Sequence, residues 1–282
     1  MRKMLVLETV AVVLLALAAV VFIQPPVRTQ MWVYPLVRQA AQAKLNYETR
    51  EMLVYETTHF TIKYTAQDAD TVGMVADAAE RAYGPVTQAL DFTPAGKPMV
   101  VIYPDRQKLN KVFGWSGDQS AMGVYWGGVI QVLSPHAWLK SESPEEFVRS
   151  GPMAHELTHL VLDYRTRGNY PRWFTEGLAQ YVEYKVNGYE WRTANNSLTG
   201  DLYSLEQLDE QFDDLPNQAL AYRESLAAVR YLAEGPEGNK LPAVVDALQN
   251  GHRLEAALTD KLGISYRDYE TAWRNWAAAT MI

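Results

Sequence analysis

Two histidines four residues apart enclose a glutamate at His155-Glu156-Leu157-Thr158-His159. On an α-helix, positions i and i+4 share a face, so both imidazoles of such a pair can reach one metal ion. Glu156 lies beside them, placed to take a proton from water that the metal activates without itself being a ligand. Composition narrows the ligand set. The 282-residue chain has five histidines and no cysteine, which excludes thiolate ligands, a disulfide framework, a cysteine nucleophile and a lipoprotein anchor. Any metal must therefore be held by histidine and carboxylate. Catalytic zinc usually takes three protein ligands and leaves one position for water, and no further histidine follows His159 at short range. Gly168 and Pro171 bracket a turn. Pro171-Arg172-Trp173-Phe174-Thr175-Glu176-Gly177-Leu178-Ala179 then offers a second helix. It is far enough from His159 to turn back and present the Glu176 carboxylate. Glu176, Gln180 and Glu183 share one face of that helix, and Phe174, Leu178, Tyr181 and Val182 the other. His59, His136 and His252 have no motif around them and read as ordinary surface or core histidines.

These groups need a scaffold. Residues 59–64 alternate and are β-rich, 98–104 form a short apolar run, and 124–133 read as one or two strands around Gly127-Gly128. Helical periodicity covers 70–90, and 106–113 reads as a short helix. A glycine-rich loop follows over 114–123. Helices are expected over 144–164, 171–186, 218–233, 240–248, 254–262 and 266–279. On the 144–164 helix, Met153, Leu157, Leu160, Val161 and Tyr164 lie away from the histidines, an amphipathic pattern. Strands first and helices after predict an α+β fold: a small mixed or antiparallel sheet followed by a mostly helical region. The expected domain runs from 57 to 282, β-rich over 57–143 and helical over 144–282.

Arg2-Lys3 precedes an apolar run over residues 4–23, long enough to span a bilayer core. Residues 1–27 read as a signal anchor, giving a single-pass membrane protein with its catalytic domain outside the cytoplasm. The alternative is a signal peptide cut after Ala16-Leu17-Ala18, giving a secreted protein. Trp32, Leu36, Val37, Ala40 and Leu45 recur near helical spacing, so 28–56 is expected to be a juxtamembrane helix, lying on the membrane or serving as a stalk. Lys plus Arg number 26 against 33 Asp plus Glu, a net charge of −7, which argues against a nucleic-acid partner.

HELTH followed by WFTEGLA resembles the gluzincin metallopeptidases of the peptidase MA-like families, and Ala179 and Tyr181 fit the EGLAxY run. The resemblance implies a zincin-like catalytic region and a Zn2+ ion bound by His155, His159 and Glu176. It also implies Glu156 as general base and a peptide or protein substrate. In similar enzymes a Tyr or His downstream of the glutamate ligand donates to the oxyanion; Tyr222 is the candidate, against the reading that it packs at a helix start. Residues 122–131 correspond to an edge strand that pairs with substrate in similar peptidases, or form an ordinary hairpin. Asp163, Gln180 and Glu183 are the candidates for a second layer of contacts behind the histidines, or solvated helix residues. Gln180 stands where some related enzymes have aspartate. With no acidic cluster to hold a substrate N-terminus, the sequence leans to an endopeptidase. A non-proteolytic metal-binding descendant acting as an extracytoplasmic interaction module is the alternative function.

Overall fold

The computed structural model describes residues 27–115, 121–140 and 143–281. The apolar run over 4–23, read as an anchor, lies outside them. Among the described residues no helix is long and apolar enough to cross a membrane.

The chain opens with α1 (Val27–Glu48). Strands β1 (Leu53–Glu56) and β2 (Thr61–Tyr64) lead to α2 (Val72–Ala89), β3 (Met99–Tyr103) and α3 (Arg106–Phe113). Strands β4 (Gly123–Trp126) and β5 (Val129–Leu133) complete the sheet. The strand order is β1-β2-β3-β5-β4. β2, β3 and β5 run parallel, and β1 and β4 are antiparallel edges, so the sheet is mixed. The parallel strands need crossovers, which α2 and α3 supply. β3 and β5, at the middle of the sheet, are buried on both faces, as parallel strands require. Ile62, Val100, Ile102, Ile130 and Val132 face the main core. Val101, Tyr103, Val129 and Leu133 face the other side, under Leu109 of α3 and Leu45 of α1. The 124–133 segment resolves into two strands. Gly127 and Gly128 both have positive φ, +58° and +86°, the two-residue turn that the twist of a hairpin favours.

The rest is helical: α4 (Pro144–Ser150), α5 (Met153–Thr166), α6 (Arg172–Asn187), α7 (Leu205–Glu210), α8 (Gln218–Glu234), α9 (Leu241–Gln249), α10 (Leu254–Leu262) and α11 (Tyr266–Thr280). The fold is thus α+β with one small mixed sheet. α5 differs from the amphipathic expectation. Met153, Leu157, Leu160 and Val161 are buried, but so are Glu156, Thr158, His159 and Asp163, because helices, β4 and α1 surround it. α6 crosses α8 at backbone contact: a Cβ on Gly177 would stand 2.1 Å from the Ser225 carbonyl oxygen. Tyr269 and Trp273 of α11 are fully buried, and the Tyr269 hydroxyl donates to the Ala228 carbonyl at 2.7 Å.

Two features depart from the sequence reading at the N-terminal side. β1, within the segment 28–56, is a strand of the sheet. α1 is a helix, but it is docked on the domain: Met31 and Leu45 are buried, while Trp32, Leu36 and Val37 of the expected apolar stripe are exposed. Its attachment is largely polar.

Candidate active site

α5 and α6 build the centre. α5 ends where Arg167 and Gly168 take left-handed conformations, φ +57° and +75°, and Pro171 starts α6 after a short turn. The return brings Glu176 beside the two histidines. His155 Nε2 lies 3.2 Å from Glu176 Oε2, and His159 Nε2 lies 3.5 Å from the same oxygen. All three ligand atoms fall within 4.8 Å of one another. Donors about 2.1 Å from a tetrahedral zinc ion stand about 3.4 Å apart, so the residues fit the ion by donor type and by spacing. The imidazole rings are tilted 77° to one another with centroids 4.8 Å apart, which lets both aim Nε2 at one point.

A second layer of contacts fixes the three donors. His155 Nδ1 is 3.3 Å from Glu183 Oε2, and His159 Nδ1 is 2.6 Å from Thr175 Oγ1. Both are the contacts that select the tautomer with Nε2 free for a metal. The Arg172 Nη1 donates to Glu176 Oε1 at 2.9 Å, leaving Oε2 to the histidines. Burial works against charge at His155, but hydrogen bonds to Glu176 and Glu183 outweigh it and hold its pKa well above the usual imidazole value. Burial also opposes ionisation of Glu176. The charges of His159 and Arg172 and the hydrogen bonds from the histidines overcome it and hold that carboxyl well below the usual range.

Glu156 is buried beside this centre, and desolvation raises its pKa against the pull of His155 and His159. The backbone N–H of Tyr125 donates to it. β4 runs so close that a Cβ on Gly123 would meet Glu156 Cγ at 2.8 Å and Pro152 Cβ at 2.6 Å; only glycine lets the edge strand lie there. The whole constellation opens into a cleft of about 1100 Å³. Tyr222 lines the same cleft, edge-on to Phe212 and Trp191. Burial and the nearby Glu176 charge push its pKa up, so its hydroxyl keeps its proton.

Of the candidates behind the histidines, Glu183 contacts His155. Asp163 does not contact either ring. It is fully buried and accepts from Arg38 Nη1 at 2.7 Å, Tyr125 OH at 2.6 Å and Tyr170 OH at 3.1 Å. Gln180 Nε2 donates to the Tyr222 carbonyl at 2.8 Å, tying α6 to α8. His59 and His136 stand apart from the centre, paired with Glu80 and Asp70. Sequence reasoning missed Thr175, Arg172 and the α1 residues Tyr34, Val37, Arg38 and Ala41 that line the cleft. Only Arg172 carried a local signal, its i,i+4 spacing to Glu176.

Residues 146–279 match the family described as the Peptidase MA superfamily. The match contains His155, Glu156, His159, Glu176 and Tyr222. The sheet and α1 lie before it. No curated protein matches the chain.

Proposed function

We propose that this chain is a zinc-dependent peptidase of the gluzincin type. The observation that carries the reading is the convergence of His155, His159 and Glu176 within metal-ligand spacing, with Glu156 beside them on the floor of an open cleft. The superfamily match over the same residues supports it.

His155, His159 and Glu176 would hold the ion. When bound, zinc supplies a Lewis acid that polarises the substrate carbonyl and makes water nucleophilic near neutral pH. Glu156 takes the proton from the attacking water and passes it to the leaving amine. Its buried position, which raises its proton affinity, suits both halves of that task. The Tyr222 hydroxyl, protonated and in the same cleft, donates to the carbonyl oxygen as negative charge develops there. Gly123 and the Tyr125 carbonyl turn away from β5, while the Tyr125 N–H is held by Glu156; the remaining groups offer an edge to which an extended peptide can add as a strand. The apolar run over 4–23 anchors the chain in the cell membrane, and the catalytic domain acts outside the cytoplasm. Arg2-Lys3 ahead of that run supports this placement.

Cleavage of a peptide library by the full chain, compared with Glu156→Gln, tests the reading. The variant is expected to keep its zinc and lose about 10³-fold in kcat/KM, within the range for removal of a general acid–base. Equal cleavage by both proteins would refute the role of Glu156. Zinc-loaded wild type that cleaves nothing would assign the site to the non-proteolytic alternative.

A further inference from the structure

One side of the cleft is built from a helix that the metal centre does not require. α1 covers the outer face of the sheet with Leu45. It then passes the tip of the β4–β5 hairpin and reaches the end of α5. Three glycines make room for it. A Cβ on Gly127 would stand 2.8 Å from Ala41 Cβ, one on Gly128 2.8 Å from Arg38 Cγ, and one on Gly168 2.9 Å from the Tyr34 ring. Gln42 Nε2 donates to the Gly128 carbonyl at 3.0 Å and to Tyr164 OH at 2.7 Å. The Arg38 guanidinium stacks 3.7 Å from the centre of the Tyr164 ring and forms its ion pair with Asp163, whose side chain is 0% exposed. Contacts of this kind fix a helix in place.

The position of α1 sets a length. Gly123 lies against Glu156, and Gly127 lies against Ala41. At about 3.3 Å per residue, the three steps of β4 from Gly123 to Trp126 span about 10 Å, and Gly127 begins the turn. A peptide lying along the outer edge of β4 thus has room for about three residues between the general base and α1. We propose that α1 is the end wall of the substrate groove, and that the chain trims peptides within a few residues of one terminus. This rests on the peptidase reading above and departs from the sequence's lean to an endopeptidase. The wall limits by volume, because its polar groups are committed: Arg38 and the Tyr34 hydroxyl are both engaged by Asp163. It accordingly accepts a terminus whose charge is removed by acetylation or amidation, and refuses a folded domain at the same end. Val37, 57% exposed and lining the cleft, is the residue that sets the limit.

The test uses the full zinc-loaded chain and peptides sharing one scissile bond. In one set the residues on each side are lengthened stepwise; in others a small folded domain is fused at the N-terminus, at the C-terminus or at both. One of the two single fusions is expected to be refused and the other cleaved, with end-neutralised peptides cleaved normally. Val37→Trp, which adds bulk at an exposed site, is expected to cut kcat/KM about tenfold for substrates that fill the walled side, the effect of a clash of about 1.4 kcal/mol. Substrates with a single residue on that side should be unaffected. Efficient cleavage between two fused domains, or a Val37→Trp effect independent of length, would overturn the wall and leave the peptidase reading standing. No cleavage of any substrate would remove both.

Discussion

Arg172 and Thr175 precede Glu176 on α6, and each holds one atom of the candidate metal ligands. Thr175 Oγ1 meets His159 Nδ1 at 2.6 Å, and Arg172 meets the Glu176 oxygen that faces away from the histidines. Removing such supports typically costs a metal site about 10- to 100-fold in affinity. Thr175→Val and Arg172→Ala are each expected to weaken zinc binding by that order, read by competition with a chromogenic chelator; unchanged affinity would show that the ligands orient themselves. At this scale much was legible in the sequence. The four-residue spacing of His155 and His159 dictates a shared face, and the run after Pro171 dictates a returning helix. Thr175 was not legible, because its role depends on the rotation of α6 relative to α5, which no spacing encodes.

At the scale of elements, the helices and the central strands follow from periodicity, while the two N-terminal pieces do not. All four residues of β1 are exposed, so it lacks the alternation by which a half-buried strand is recognised. α1 shows a stripe of Trp32, Leu36 and Val37 that suggests a buried face, yet those side chains are exposed. Its hold comes from Arg38, Gln42 and Tyr34 meeting groups more than 80 residues away in the chain, a distance over which local pattern says nothing. Breaking a buried ion pair by removing one partner costs about 3–5 kcal/mol. Arg38→Ala, which leaves the buried Asp163 carboxylate with only its tyrosine donors and no counter-charge, is therefore expected to destabilise the fold by about the lower end of that range in denaturant unfolding. Lys44→Ala, which breaks the exposed pair with Glu48, should leave stability unchanged. A small effect of Arg38→Ala would mean that α1 is loosely attached.

For the molecule as a whole, the α+β class and the mostly helical second half were readable from the sequence, because the apolar runs of β3 and β5 and the stripes of the later helices mark buried faces. What it concealed was how completely α5 is enclosed, since polar side chains that are buried by pairing look in sequence like solvated ones. Glu224 on α8 is another such group. Its Oε1 accepts from the Tyr203 N–H at 3.0 Å, its Oε2 has no hydrogen-bond partner among the described residues, and burial pushes its pKa up to about 8. The folded state thus keeps a proton that the unfolded chain releases near the usual carboxylate value, so this group costs stability as pH rises from about 4 to about 8. Glu224→Gln is expected to raise Tm by at least about 4 °C at about pH 9 and to leave it nearly unchanged at about pH 4. A gain of equal size at both values would place the cause elsewhere than in the proton.

The central claim is that one zinc ion joins α5 to α6 at the floor of the cleft. The most direct measurement is a zinc-edge anomalous difference map from crystals of the zinc-loaded protein. The account predicts one peak at about 2.0–2.2 Å from His155 Nε2, His159 Nε2 and Glu176 Oε2. Zinc bound elsewhere, or no peak between these three atoms in zinc-soaked crystals, would contradict it.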